Sequence, residues 1–511
     1  MRLTGFRLLW RTINQLQMQH YILGIDIGTG STKAVAMDIT GNVLHIAQHY
    51  YPISQPKPGY SEQDPDTIHQ AFVSCVRDTI QKLETAPSAI SFSSAMHSLI
   101  PVNQNGQVLS PMLTWADTRA EQIAQRIKAS PQAENIYRVT GTPIHPMSPL
   151  CKLIWLRENE PGLFGQTHKF ISIKEYIWYK LFNVFQVDYS IASGTGLFDI
   201  LKLQWSQGAC ILAGVSSAQL SSAVDTSHTQ TGINANVAVQ LGIPILTPFI
   251  IGATDGCCAN LGSHVTSTGI AALTIGTSGA VRTTGSTPVY NYAGMTFNYL
   301  LNHNTYISGG AVNNGGIAVN WLLKTFLNKT ELSPADYTTL SKAIQTTPTT
   351  SEGLIFLPYL YGERAPIWDA KSSGAYLNIK PQHTQAHFLR AALEGICYAL
   401  YDVLLTLESA SAPINQLNIS GGFLTSPVWI QLLADVTGKQ LMILQPEDAS
   451  AIGAIYLAMQ ALYPQQTLPQ PGEPQLIYPN QANHILYAKN FPLFKQLYNN
   501  VKGTINQLNN L

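Results

Sequence analysis

Charge is scarce in this sequence. Only 11% of its 511 residues are Asp, Glu, Lys or Arg, against about 25% in an ordinary globular chain, and 29 basic residues balance 29 acidic ones. That balance offers no basic field for nucleic acid and no acidic tail. Gln, Asn, Ser and Thr must therefore make the surface polar. Cysteine is sparse too: Cys75, Cys151, Cys210, Cys257, Cys258 and Cys397 include one adjacent pair and no C-x-x-C. Neither a zinc site nor a disulfide framework is suggested, and free thiols in a reducing cytoplasm are expected. No apolar run reaches the roughly 18 residues that a membrane helix needs, and Pro244 to Ala253 is too short. Arg7 and Arg11 break the apolar N-terminus before signal-peptide length. Residues 1–20 are expected as an extension outside the fold, with Met18 as an alternative start.

Hydrophobic residues make up 45% of the chain, enough for two cores of about 250 residues each. The stretch that organises them is Tyr21 to Asp38, where two apolar runs meet at Gly28-Thr29-Gly30-Ser31. Apolar runs joined by a small-residue turn predict a β-hairpin. Its tip presents backbone N–H groups, the hydroxyls of Thr29, Ser31 and Thr32, and the Lys33 ammonium, a set suited to phosphate. Asp26 would be repelled by that phosphate unless a cation stood between them, and Mg²⁺, which takes oxygen ligands, is the natural candidate. The alternative is a tight hairpin whose Asp26 caps its own turn.

Val43 to Tyr51 alternates as a third strand, and a helix capped at Asp66 runs to Leu83, which starts an α/β layer domain. Ala89 to Ser94 is a short strand leading to Met96 and His97, Leu99 to Val102 continues a second hairpin, and Asp117 or Thr118 starts a helix through Ile127. Polar and aromatic groups at strand ends are where α/β domains keep ligand contacts. His97 as a satisfied core histidine, Trp115 as a core aromatic and Asp117 as a helix cap are the alternatives. Pro149 opens a helix through Glu158. Pro248 to Thr254 is a buried strand ending at Asp255-Gly256, where an acid beside a helix N-terminus suits catalysis or capping. Ala271 to Arg282 then echoes the opening hairpin. Ile275-Gly276-Thr277 repeats Ile27-Gly28-Thr29, with Thr274 where the first copy has Asp26. Two related halves facing one nucleotide are the expectation, only the first supplying a metal acid.

Met147 to Asn159 and Gly374 to Glu394 complete an ordered set that resembles the FGGY family of carbohydrate kinases over roughly residues 21 to 462. Asn378 stands where the family usually has glycine. The resemblance implies an α/β fold of two actin-like, ribonuclease-H-like ATPase domains, residues 21–252 for sugar and first phosphate turn and 253–462 for nucleotide, with a tail at 463–511. It implies a cytoplasmic enzyme that uses ATP and Mg²⁺, with no nucleic-acid or membrane partner; a homodimer is compatible with it. Asp255 would be the general base and Asp26 the Mg²⁺-associated acid. Thr29, Gly30, Ser31 and Lys33 would form the first phosphate turn and Gly276 and Thr277 the second, with Gly310, Asn314, Gly421, Gly422 and Ser426 near the nucleotide. Met96, His97, Trp115 and Asp117 would line the sugar pocket, with Glu363 and Arg364 closing nearby. The Met96-His97-Ser98-Leu99 and Trp115 to Arg119 stretches look most like members that phosphorylate D-gluconate; a pentulose is the alternative substrate, and His97, Arg119 or Arg364 would meet a carboxylate. A nucleotide-driven protein switch is the alternative of another class.

Overall fold

Two mixed sheets share one strand plan in the computed structural model, which describes residues 20–444, 448–470 and 472–509. Residues 1–19 of the expected extension lie outside the described residues. In the first sheet the order is Thr229–Gln230, Phe249–Thr254, Ala89–Ser94, Tyr21–Ile27, Ser31–Asp38 and Val43–Tyr50. The predicted hairpin is there, with Tyr21 opposite Asp38 and Ile27 opposite Thr32. Its first strand also runs parallel to Ala89–Ser94, setting Asp26 beside Ser93. The second sheet repeats this order as Gln475–Ile477, Gln440–Ile443, Gln416–Ser420, Ile270–Ile275, Gly279–Gly285 and Thr305–Val312, and adds Phe297–Asn302. Here Thr274 lies beside Ser420, the place that Asp26 and Ser93 hold in the first sheet.

The apolar strands are buried on both faces, as parallel strands under helices must be. The strand Phe249–Thr254, which the expected boundary at residue 252 would cut, stays whole in the first sheet. Helix Asp255–Gly262 follows it, and helix Ala449–Leu462 follows Gln440–Ile443 in the second half. The two helices cross at glycines. A methyl at Gly453 would stand 1.9 Å from the Cys258 carbonyl oxygen, and one at Gly262 2.0 Å from that of Ala449. Backbone approach this close needs the missing side chain, and it joins the halves beside the cleft.

Several expected elements shift. The helix read as starting at Asp66 is Pro65–Leu83; Asp64 accepts from the Asp66 and Thr67 N–H groups, and Pro65 takes the first helical position. The one expected from Asp117 or Thr118 is Glu121–Lys128, without a side-chain cap, because Asp117 is engaged elsewhere. Strand Ile100–Val102 pairs chiefly with Lys169–Ile171. The segment after residue 462 is no loose tail: Gln475–Ile477 extends the second sheet, and helix Gln481–Leu508 buries Tyr487, Phe491, Phe494 and Tyr498 in the second core. Spacings of three and four place those aromatics on one helical face. Asn378 keeps its turn by adopting φ 65°, a left-handed conformation that asparagine tolerates better than most residues. All six cysteines are free and buried. Among the described residues no helix is long and apolar enough to cross a membrane.

Candidate active site

A cavity of about 240 Å³ lies between the two sheets. Thr29, Met96, His97, Trp115 and Asp255 reach it from the first half, and Ala280, Arg282, Tyr299 and Arg364 from the second. Asp255 owes its position to the strand that delivers it. Buried Lys174 pairs with Asp188 at 2.6 Å and donates to the carbonyls of Ile251 and Ala253, fixing the strand end. Thr254, rather than Asp255, caps the helix by accepting from the Cys257 N–H. Asp255 sits on the first turn with one carboxylate oxygen accepting from the Gly256 N–H at 2.6 Å. Burial raises its pKa, opposed by the charge of Arg282.

Asp26 accepts from Ser93 Oγ at 2.7 Å. Burial, then the charges of Asp448 and Asp255, push its pKa up to about 7, against the Ser93 hydrogen bond and Lys33. The Lys33 ammonium pairs with Asp448 at 2.5 Å. Around Asp26 itself the charges of two further carboxylates outweigh the one nearby lysine. Oxygen donors of this kind fit Mg²⁺, which uses one or two carboxylates and takes its other ligands from water and phosphate. Among the described residues no cluster of three or more His, Cys, Asp or Glu forms an all-protein cage.

The residues expected to line a sugar pocket are linked to the hairpin tip. Trp115 Nε1 donates to Thr29 Oγ1 at 2.8 Å, and Gln63 Nε2 donates to the Thr29 carbonyl at 2.7 Å. Ser31 accepts from Gln48, Gly30 is exposed with open space around it, and Thr32 turns into the core toward Tyr51. His97, at φ 66°, donates from Nδ1 to the Gly194 carbonyl at 2.7 Å, since a carbonyl only accepts, and its Nε2 accepts a hydrogen bond from the Tyr299 hydroxyl at 3.3 Å. Burial, then the Lys152 cation, pushes its pKa down to about 3, so the ring is a neutral wall and not a cation for carboxylate. Met96 packs over Gly194, where a methyl would meet its terminal carbon at 2.3 Å.

Five expected site residues are committed to structure. Asp117 is buried, paired with Arg119 at 2.7 Å and accepting from the Ser61 N–H. Arg119 is held in turn by Glu62 and lies 3.7 Å from the Tyr60 ring centroid, so it too is unavailable. Glu363 accepts from the N–H groups of Asn313 and Arg364 and from Asn314 Nδ2. Asn314 also donates to the Gly362 carbonyl and accepts from the Tyr361 N–H. Together they brace the loop that carries Arg364. Gly310 faces helix Gln385–Glu408, a methyl there meeting Val403 at 2.7 Å. At the other end, Gly276, Thr277, Gly421 and Gly422 are exposed at neighbouring turns. Gly421, at φ 110°, passes so close that a methyl would stand 2.2 Å from the Ile275 carbonyl oxygen. Ser426 caps helix Pro427–Thr437.

Sequence reading passed over Arg282, Tyr299, Lys174 and the role of Lys152. Lys152 is fully buried and donates to the carbonyls of His97 and Thr114 at 2.6 and 2.7 Å, which holds both sugar-side loops. Burial lowers its pKa to about 7. Arg282 had one signal: it lies two residues after Ala280 and therefore on the same strand face.

Residues 21–262 match the N-terminal domain of the FGGY family of carbohydrate kinases, and residues 271–462 match its C-terminal domain. The gluconokinase of Bacillus subtilis (strain 168) is 40% identical over 451 residues, covering 87% of this chain and 88% of that protein. The crystal structure of gluconate kinase from Lactobacillus acidophilus superposes with a TM-score of 0.91 at 35% identity, over 96% of this chain and 99% of the other. A ligand-bound xylulose kinase from the same organism also gives 0.91 at 35% identity, over 96% and 100%.

Proposed function

The chain belongs to the FGGY family of carbohydrate kinases, and from that premise we propose that it transfers the γ-phosphoryl group of ATP to D-gluconate, giving 6-phospho-D-gluconate and ADP. The observation that carries the mechanism is Asp255 on the cavity wall, whose carboxylate, among the described residues, is bonded only to the N–H of its neighbour Gly256. A carboxylate left free in this way can accept a proton from the substrate hydroxyl. The hydroxyl oxygen then bonds to the γ-phosphorus as the bond to the β,γ-bridging oxygen breaks. Protonation of Asp255 ends that role, so its carboxylate form is the active one.

Asp26, with Asp448 beside it, would hold Mg²⁺, which when bound offsets negative charge on the phosphoryl oxygens. The rest falls to the chain's own groups. N–H donors and hydroxyls at the Thr29 and Thr277 turns face the phosphates. Trp115, tied to Thr29, couples the sugar wall to the first turn. Gly276, Thr277, Gly421 and Gly422 give the nucleotide an open, side-chain-poor face. Bound sugar filling the cleft would keep water from the transferring group and so limit wasteful ATP hydrolysis.

Gluconate is favoured by the 40% identity to a gluconokinase. A neutral pentulose is the second reading, favoured by the equally good superposition on a xylulose kinase. Coupled ATP turnover with Mg²⁺ on D-gluconate, D-xylulose, L-ribulose and glycerol decides between them. Turnover led by gluconate supports the proposal. Turnover led by xylulose keeps the mechanism and replaces the substrate, and sugar-independent turnover contradicts both.

A further inference from the structure

Two guanidinium groups face the cavity, and the fold employs them differently. Arg364 donates from Nε to Asn313 Oδ1 at 2.7 Å and from Nη2 to the Val312 carbonyl at 3.2 Å. Its guanidinium carbon lies 5.5 Å from the Trp115 ring centroid. The guanidinium of Arg282, on strand Gly279–Gly285, has no hydrogen bond or close ion pair among the described residues; Asp255 influences it through charge alone. Its Nε would lie 3.3 Å from a methyl placed on Gly256. A guanidinium carries five N–H donors and stays charged in proteins. Set into a cavity wall without an acceptor, it is a site for an anion.

Position says which anion. The phosphate turn is at Gly276 and Thr277, and Arg282 follows Ser278 by four residues, roughly 13 Å along an extended strand. It is opposite Gly309, which is opposite Phe297, so it lies away from the nucleotide turn, on the part of the wall it shares with Asp255 and Tyr299. Arg364 is partly engaged by Asn313 and Val312, and three further groups are taken. His97 is neutral with its N–H given to Gly194, the Trp115 N–H goes to Thr29, and Arg119 is locked outside by Asp117 and Glu62.

Resting on the gluconate reading above, we propose that Arg282 binds the substrate carboxylate and sets the preference for a sugar acid over a neutral sugar. A planar guanidinium takes a carboxylate through two parallel hydrogen bonds. A neutral sugar leaves those donors unpaired in the wall, a mismatch that sites built for hydrogen bonding reject strongly. The carboxylate held at Arg282 directs the opposite end of the six-carbon chain back toward Asp255 and the phosphate turns.

The test compares the full-length wild type with Arg282→Met, which keeps an apolar stem, and Arg282→Lys, which keeps the charge. Each is assayed on D-gluconate and on D-glucitol, the same chain with a hydroxymethyl in place of the carboxylate. Sugar-independent ATP hydrolysis serves as the reference where glucitol is not turned over. Quenching of tryptophan fluorescence by gluconate reads binding without ATP, since Trp115 and Trp368 line the cavity. In Arg282→Met, kcat/KM on gluconate falls on the order of a hundredfold, mainly through KM, as expected for a lost charged hydrogen-bond partner. That loss exceeds the loss in the reference reaction by at least about tenfold, and Arg282→Lys recovers part of it. An equal loss in both reactions, carried by kcat, overturns the proposal and assigns Arg282 to the phosphoryl group. Undiminished gluconate binding and turnover in Arg282→Met overturns it too, with the gluconate reading left standing. A wild type that ignores gluconate contradicts the gluconate reading itself.

Discussion

The two halves of the molecule place different residues at matching points of one strand plan. Where the first hairpin strand meets its parallel neighbour, Asp26 accepts a hydrogen bond from Ser93; at the matching point of the second sheet, Thr274 and Ser420 share a hydroxyl bond at 3.0 Å. Where the strand after the crossover ends, the first half has Asp255, uncommitted because Thr254 caps the helix. In the second half Asp448 lies at the corresponding helix start, but it caps that helix itself and pairs with Lys33. The backbone thus supplies two matching glycine turns and two helix N-termini, while among the described residues the acid that is not spent on its own helix cap stands in the first half. Chemistry follows the polar groups that the fold leaves without a partner.

That contrast is sharpest at Asp255. Replacing it by Asn keeps the shape and removes the proton acceptor, so kcat should fall by about 10²–10⁴-fold while gluconate still quenches tryptophan fluorescence. A variant retaining more than a tenth of wild-type kcat would put the base elsewhere. Next in size is the paired test at the hairpins. Asp26→Asn should lower kcat by roughly a hundredfold and raise the Mg²⁺ concentration needed for half-maximal activity. Thr274→Ala, losing one neutral hydrogen bond of about 1 kcal/mol, should change kcat less than about tenfold. Equal effects would mean that the halves share the metal-side work.

Lys152 offers a smaller effect, within the first half alone. Lys152→Met strips the carbonyls of His97 and Thr114 of their donor, which should cost about 1–3 kcal/mol of stability and raise KM for the sugar with a lesser change in kcat. Thermal unfolding and steady-state kinetics on the same preparation separate the two. An unshifted KM would confine Lys152 to stability.

Much of this was legible in the sequence because local pattern determines it. The hairpin at Tyr21 to Asp38, its echo at Gly276-Thr277 and the helix opened by Pro149 follow from apolar periodicity and turn chemistry, which act over a few residues. The acids Asp26 and Asp255 stood out as charges ending apolar strands. What sequence could not show is commitment. Asp117 looked like a ligand, but the Arg119 that occupies it is also held by Glu62, far away in the chain. Asn314, Glu363 and Gly310 are likewise spent on loop and helix packing decided by tertiary contact. Arg282 was overlooked for the opposite reason: an arginine in a strand reads as surface until the partner sheet is in place. Helix Gln481–Leu508 showed its amphipathic stripe but not the core it completes.

The most direct test is kcat/KM for gluconate measured across pH for the wild type and for Asp255→Asn. Burial raises the Asp255 pKa, and its carboxylate form is the active one, so wild-type activity should decline on the acid side at a higher pH than an ordinary aspartate near 3.9 would give. The residual activity of Asp255→Asn should lack that bend. If the variant kept the same acid limb, another group would be the base and the assignment of Asp255 would be wrong.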